Sequence, residues 1–75
     1  MSKLQHHRLS KKLTQKQLSE LSNIPLRTIQ QWECQQRNID GASLENLCNL
    51  SAALNCKIYD ILESEDMIEK IKKII

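Results

Sequence analysis

Apolar positions along this chain recur at helical spacing. In residues 13–33, LTQKQLSELSNIPLRTIQQWE, two short stripes are broken by Ser22-Asn23-Ile24-Pro25. In the first stripe Leu18 and Leu21 are expected to face inward, and small Ser19 lets a neighbouring helix come close. Thr14 with Gln17 three residues on reads as a capping box, and Leu13 with Leu18 as a hydrophobic staple, so this helix starts at Thr14. Asn23 suits a left-handed residue at its end. Pro25 belongs at the edge or first turn of the next helix, which is expected to run to about Gln35. Ile29 and Trp32 reach the core from that helix, and Ile24 plugs it from the turn. Arg27, Gln30, Gln31 and Gln35 are left with no apolar face to join.

The same reasoning divides the rest of the chain. A first helix is expected from about Lys3 to Lys11, with Leu4 and Arg8 on one face. Residues 36–42 read as a polar loop containing Arg37, Asn38 and Gly41. Ser43 caps a fourth helix reaching about Leu54, with Leu44, Leu47, Leu50, Ala53 and Leu54 as its stripe and Asn55 as its left-handed stop. A short fifth helix covers Ile58 to Leu62. From Asp66 onward, Met67, Ile68, Ile71, Ile74 and Ile75 fall on roughly one side, giving a sixth, amphipathic helix. That stripe is too apolar for a free helical end in water. A symmetric dimer is the first expectation for it; a partner protein or the domain's own core are the others.

Composition narrows the class. Trp32 and Tyr59 are the only aromatic residues, so the core is aliphatic, and one Gly and one Pro leave little turn chemistry for an all-β fold. At 75 residues a single core is marginal unless helices pack efficiently or a partner adds surface. Residues 1–38 carry seven Lys/Arg against two Asp/Glu, whereas residues 39–75 carry four against seven. The N-terminal half therefore suits an anionic partner. Cys34, Cys48 and Cys56 lack a Cys-x-x-Cys spacing and read as free thiols, the last two as small buried apolar residues. His6 and His7 with a cysteine match no structural zinc pattern. No metal site and no cofactor is expected. There is no Gly-rich phosphate loop and no paired His/Asp/Glu cluster, so no catalytic residues are assigned and the chain is not expected to be an enzyme. No apolar run approaches the roughly 20 residues of a membrane span, and the start lacks an apolar signal segment. A cytoplasmic protein without membrane contact is the expectation.

Arg8, Leu13-Thr14-Gln15, Leu18, Leu21, Ile24, Ile29, Trp32-Glu33, Ser43-Leu44, Leu47, Leu50, Ala53-Leu54 and Ile61-Leu62 together resemble the phage-repressor type of helix-turn-helix, the Cro/C1 or XRE-like family. The resemblance covers about residues 4–62. It implies an all-α, compact five-helix lambda-repressor-like DNA-binding domain over residues 1–65, with an additional C-terminal amphipathic helix over 66–75 as a dimerisation or partner segment. It also implies that the third helix enters the DNA major groove while the second lies across the phosphate backbone. On this reading Leu26, Arg27, Gln30 and Gln31 read bases. Arg27 and Gln31 stand one turn apart on the outward face, and such side chains pair with guanine and adenine. Leu26 packs on a thymine methyl or covers the core edge. Gln30 lies between base and phosphate faces.

Thr14, Gln15, Lys16, Thr28, Arg37 and Asn38 are the implied phosphate contacts. Thr14 also caps, Lys16 with Lys11 and Lys12 adds diffuse charge, and Arg37 and Asn38 read equally as solvated loop residues. Arg8 and Glu33 match a pair that in relatives ties the first helix to the end of the third, which makes them structural. Two positions depart from the family's usual glycines: Asn23 in the turn, and Gln35 two residues after Glu33. The second puts the end of the third helix and the direction of Arg37 in question. The implied function is a sequence-specific, double-stranded-DNA-binding transcriptional regulator, a repressor or autoregulator. It would act as a homodimer on a palindromic operator in the cytoplasm of a bacterium, encoded there or by a phage or mobile element, and sit on the nucleoid when bound. The alternative is an antitoxin or other interaction module that binds a toxin or another protein and DNA only secondarily.

Overall fold

A computed structural model describes residues 1–74. Its helices are α1 (Lys3–Ser10), α2 (Gln15–Ser22), α3 (Leu26–Glu33), α4 (Leu44–Leu54), α5 (Ile58–Ile61) and α6 (Glu65–Ile74), with a 3-10 turn at Ile39–Gly41. The starts are chemically marked. Ser2, Thr14 and Ser43 each accept a backbone N–H from the first turn of α1, α2 and α4. At α2 the box is complete: Thr14 Oγ1 accepts from Gln17 N at 3.0 Å and Gln17 Oε1 accepts from Thr14 N at 2.8 Å. The stops are equally legible. Asn23 (φ 57°) and Asn55 (φ 51°) are left-handed, as expected of asparagine at helix ends.

The core gathers Leu4, Leu18, Ile24, Ile29, Trp32, Leu47, Leu50, Leu54, Ile61 and Leu62 from five helices and the turn between α2 and α3. Leu13 lies half-buried against it, where a staple with Leu18 requires. Three inward assignments are corrected. Leu21 is 61% exposed, and buried Ser22 takes its place. Measured around the helix from Leu18, Ser22 is about 40° away and Leu21 about 60° in the other sense. The α3 and α4 side of α2 selects the former, and the Ser22 hydroxyl is satisfied by the Leu18 carbonyl at 2.7 Å. Leu44, the first residue of α4, is exposed beyond the reach of the neighbouring helices, and Cys48, about 100° past buried Leu47, faces solvent. Cys56 is half-buried.

Residues 36–42 hold more than polar loop. Ile39 is buried in the core, carried there by the 3-10 turn. α3 stops at Glu33, two residues short of the expected end, and Gln35 sits at φ 64° where the family's glycine would be free of strain. Lys12, between α1 and α2, is left-handed too (φ 59°).

α6 packs on α5 and contributes Ile68 to the core, with Met67 and Ile71 half-buried beside it. The Cα radius of gyration, 11.3 Å, is about that of a folded chain this long, so α6 lies along the domain and does not project from it. Ile74 remains exposed. Ile75, the last member of the expected stripe, lies outside the described residues.

Candidate nucleic-acid interface

The third helix is held from behind. Ile29 is fully buried and Trp32 nearly so, and Glu33 on the same side is buried as well. Glu33 is neutralised by α1: its Oε2 accepts from Arg8 Nε at 2.8 Å and its Oε1 from Arg8 Nη2 at 3.0 Å. Arg8 Nη1 donates to the Leu13 carbonyl at 2.7 Å. Gln15 Nε2 donates to Glu33 Oε1 at 3.1 Å. One buried carboxylate therefore joins α1, the start of α2 and the end of α3. A fork-on-fork guanidinium–carboxylate pair fixes direction as well as distance, so it sets the angle between these helices. Among the described residues no buried side-chain nitrogen or oxygen lacks a partner.

The opposite face of α3 is open. Arg27 and Gln30 are exposed, and Leu26, Thr28 and Gln31 are half-buried. Arg27, Gln30 and Gln31 lie at i, i+3 and i+4, so they share one face. Their side chains make no hydrogen bond among the described residues, although each carries donors with long reach. α6 packs on α5 and leaves this face uncovered.

Candidate phosphate ligands fall on two flanks. At the Glu33 end lie Thr14, Gln15 and Lys16. The Thr14 oxygen accepts in the cap while its O–H can still donate, so an anion can meet that hydroxyl, the Gln15 and Lys16 backbone amides, which have no intrahelical partner, and the exposed Lys16 ammonium. Gln15 is anchored by one N–H to Glu33, leaving its second N–H to donate outward. Along the Pro25–Thr28 side runs a groove of about 340 Å³ lined by Pro25, Thr28, Arg37, Asn38, Ser43 and Asn46. Arg37 is exposed, with its backbone N–H on the Gln31 carbonyl at 3.2 Å. Asn38 Oδ1 accepts from Asp40 N at 3.0 Å, which leaves its amide nitrogen for other partners. Ser43, read from the sequence as a cap, and Asn46 were not among the expected phosphate contacts. The Ser43 capping signal marked the spot, since every helix start presents free N–H groups.

Lys16 and Arg37 on these flanks and Arg27 on the outer face of α3 are all exposed, whereas exposed Lys11 lies beside Cys56 and Asp60, away from them. Exposed Glu63, Glu65, Asp66 and Glu69 gather where α5 passes into α6. His6 and His7 meet edge to face with ring centroids 5.6 Å apart. Among the described residues no three His, Cys, Asp or Glu side chains cluster as a metal site, and no helix is long and apolar enough to cross a membrane.

Comparison with known families fits this geometry. A helix-turn-helix family model matches residues 4–61, well over half of the chain. Comparison with curated proteins and with solved structures gives no match. Two short helices joined through a left-handed Asn23, the first capped by Thr14 and the second presenting a polar outer face, are what that motif is built from. With the match across α1 to α5, they establish that this chain belongs to the Cro/C1-type, XRE-like helix-turn-helix family of DNA-binding regulators.

Proposed function

We propose that the chain is a sequence-specific regulator of transcription, a repressor or autoregulator, that lays α3 in the major groove of double-stranded DNA. The observation that carries this reading is the outward Arg27–Gln30–Gln31 face, whose side chains have no hydrogen-bond partner among the described residues, while Ile29 and Trp32 clamp the helix from behind. Arg27 and Gln31 read base edges. Leu26, half-buried, contacts a thymine methyl from the rim, and Gln30 reaches base or phosphate. Gln15, Lys16 and the free amides after Thr14 hold one stretch of backbone. Thr28, Arg37 and Asn38 hold another. Arg8 and Glu33 orient α3 without touching DNA.

The functional unit is a homodimer on a palindromic operator. The exposed Ile74 beside half-buried Met67 and Ile71 supports a protein contact on α6. A twofold protein reads half-sites about 34–36 Å apart and doubles its contacts. The same apolar face favours a second reading, an antitoxin-like module that binds a partner protein; co-purification with the neighbouring gene product separates the two. The protein acts in the cytoplasm. Selection from random duplexes, followed by retesting Arg27→Ala, Gln31→Ala and Gln15→Ala, tests the division of labour. The first two relax base preference, each by about 1–3 kcal/mol per lost good pair. The third weakens all sequences alike. Equal, sequence-independent losses in all three overturn it.

A further inference from the structure

Asp40 joins two parts of the chain that the sequence keeps apart. Its Oδ1 accepts from Glu63 N at 2.9 Å and from Ser64 N at 3.1 Å, so one oxygen holds the junction between α5 and α6. Its own backbone N–H donates to Asn38 Oδ1. Buried Ile39 pins the residue between them. Ser64 in turn starts α6, its Oγ accepting from Met67 N at 3.3 Å. A continuous run of bonds therefore leads from the first turn of α6, through Asp40, to Asn38 and Arg37 at the edge of α3. Besides this clamp the segment is held by buried Ile39, by the Arg37 N–H on the Gln31 carbonyl and by the 3-10 turn's own backbone bonds, while its side chains at the α3 edge stand in solvent. Arg37, Asn38 and Gly41 are exposed, and Gln35 just before them is in a strained left-handed conformation.

We propose that Asp40 is a positioning residue for DNA binding: by clamping the α5–α6 junction it holds the Arg37–Asn38 segment in place for the phosphate backbone. This rests on the DNA-binding reading above. Asp40 itself does not touch the nucleic acid, since a carboxylate beside phosphate is repulsive. α6 then contributes to DNA affinity although it lies off the reading face, and whatever engages α6 acts on the Arg37 flank through this one oxygen.

The test compares Asp40→Ala with Asp40→Asn. Both remove the same charge, but only asparagine keeps an acceptor oxygen, so their difference reports the clamp. Binding to a pool of random-sequence duplexes is followed against salt. Each phosphate contact adds about 0.9 to the slope of log affinity on log salt. Asp40→Ala lowers the slope by about 1–2 relative to Asp40→Asn, the loss of one or two contacts. Adding Arg37→Ala to Asp40→Ala lowers it by less than Arg37→Ala alone. A second readout needs no DNA: trypsin cuts after Arg37 several-fold faster in Asp40→Ala than in Asp40→Asn. Should Asp40→Ala not fold, Glu63→Pro removes one donor from the far end, with Glu63→Ala as the control that keeps the N–H. Equal slopes for the Ala and Asn variants overturn the proposal, as does equal cleavage. Absence of salt-dependent duplex binding in the unaltered protein overturns the DNA-binding reading instead, while the trypsin comparison still judges the clamp.

Discussion

Glu33→Ala is the perturbation with the largest consequence outside the apolar core. The carboxylate side chain is 3% exposed and accepts from Arg8 Nε, Arg8 Nη2 and Gln15 Nε2. Removing it leaves the Arg8 guanidinium, 9% exposed, with the Leu13 carbonyl as its remaining partner. A buried charge stripped of its counter-ion costs about 3–5 kcal/mol. The whole domain, at roughly 0.05–0.15 kcal/mol per residue, has only about 4–11 kcal/mol to lose. With a urea slope of about 1 kcal/mol per M, the unfolding midpoint falls by about 3–5 M, or the variant is already unfolded without denaturant. Arg8→Met combined with Glu33→Leu removes both charges and keeps the volume. Because desolvation offsets most of the attraction in such a pair, the double variant recovers to within about 1–2 kcal/mol of the parent. Urea unfolding of the parent, Arg8→Met, Glu33→Leu and the double variant, with Glu33→Ala beside them, is followed by helix circular dichroism and closes the cycle. A Glu33→Ala cost under about 1 kcal/mol would mean the pair behaves as an exposed one. A double variant as damaged as the sum of the singles would mean the two charges do not compensate each other.

The remaining expectations are smaller. Leu18→Ala costs about 2–5 kcal/mol, whereas Leu21→Ala stays within about 0.5 kcal/mol; thermal melts that reverse this order sink the assignment of the α2 face. Gln35→Gly releases left-handed strain of about 1–2 kcal/mol less the entropy glycine brings, a net gain near 0.5–1 kcal/mol by denaturant titration. Ile68→Ala costs about 2–4 kcal/mol if α6 is part of the domain's own core, and a melt unchanged from the parent would show that α6 is dispensable. Burial pushes the Cys56 thiol above its usual pKa, with Asp60 adding to the shift and Lys11 opposing it. Its contribution to stability is complete below the unfolded-state pKa and is lost as pH rises through the higher folded value. Cys56→Ala therefore flattens the alkaline fall in stability, and exposed Cys34 and Cys48 react with a thiol reagent before Cys56 does.

Local chemistry carried much of the fold in the sequence itself. The Thr14–Gln17 box, the Ser43 cap and the left-handed Asn23 and Asn55 depend on neighbours within four residues, so they were legible one helix at a time. The outward Arg27, Gln30 and Gln31 were readable for the same reason, because a helix of known phase has only one side left for them. Phase within about 60° was not readable: Leu21 and Leu44 satisfy the apolar period yet stand in solvent. Which edge of a stripe is covered depends on where the next helix crosses, and that is a property of the assembled bundle. Ile39 hid in a polar stretch because a single 3-10 turn has no periodicity to display.

The sequence alone, through capping, turn chemistry and apolar spacing, determined the number of α-helices, the capped starts of α2 and α4, their asparagine stops and the polar face of α3, because each is settled within a turn or two of chain. Tertiary structure alone decided that α6 folds back on α5, that Gln15 is tethered to Glu33, and that Asp40 ties the Arg37 segment to residues 63–64. The two hydrogen-bonded ties join residues 18 to 24 positions apart, where no short-range pattern records the distance and only the packing of the aliphatic core brings the partners together.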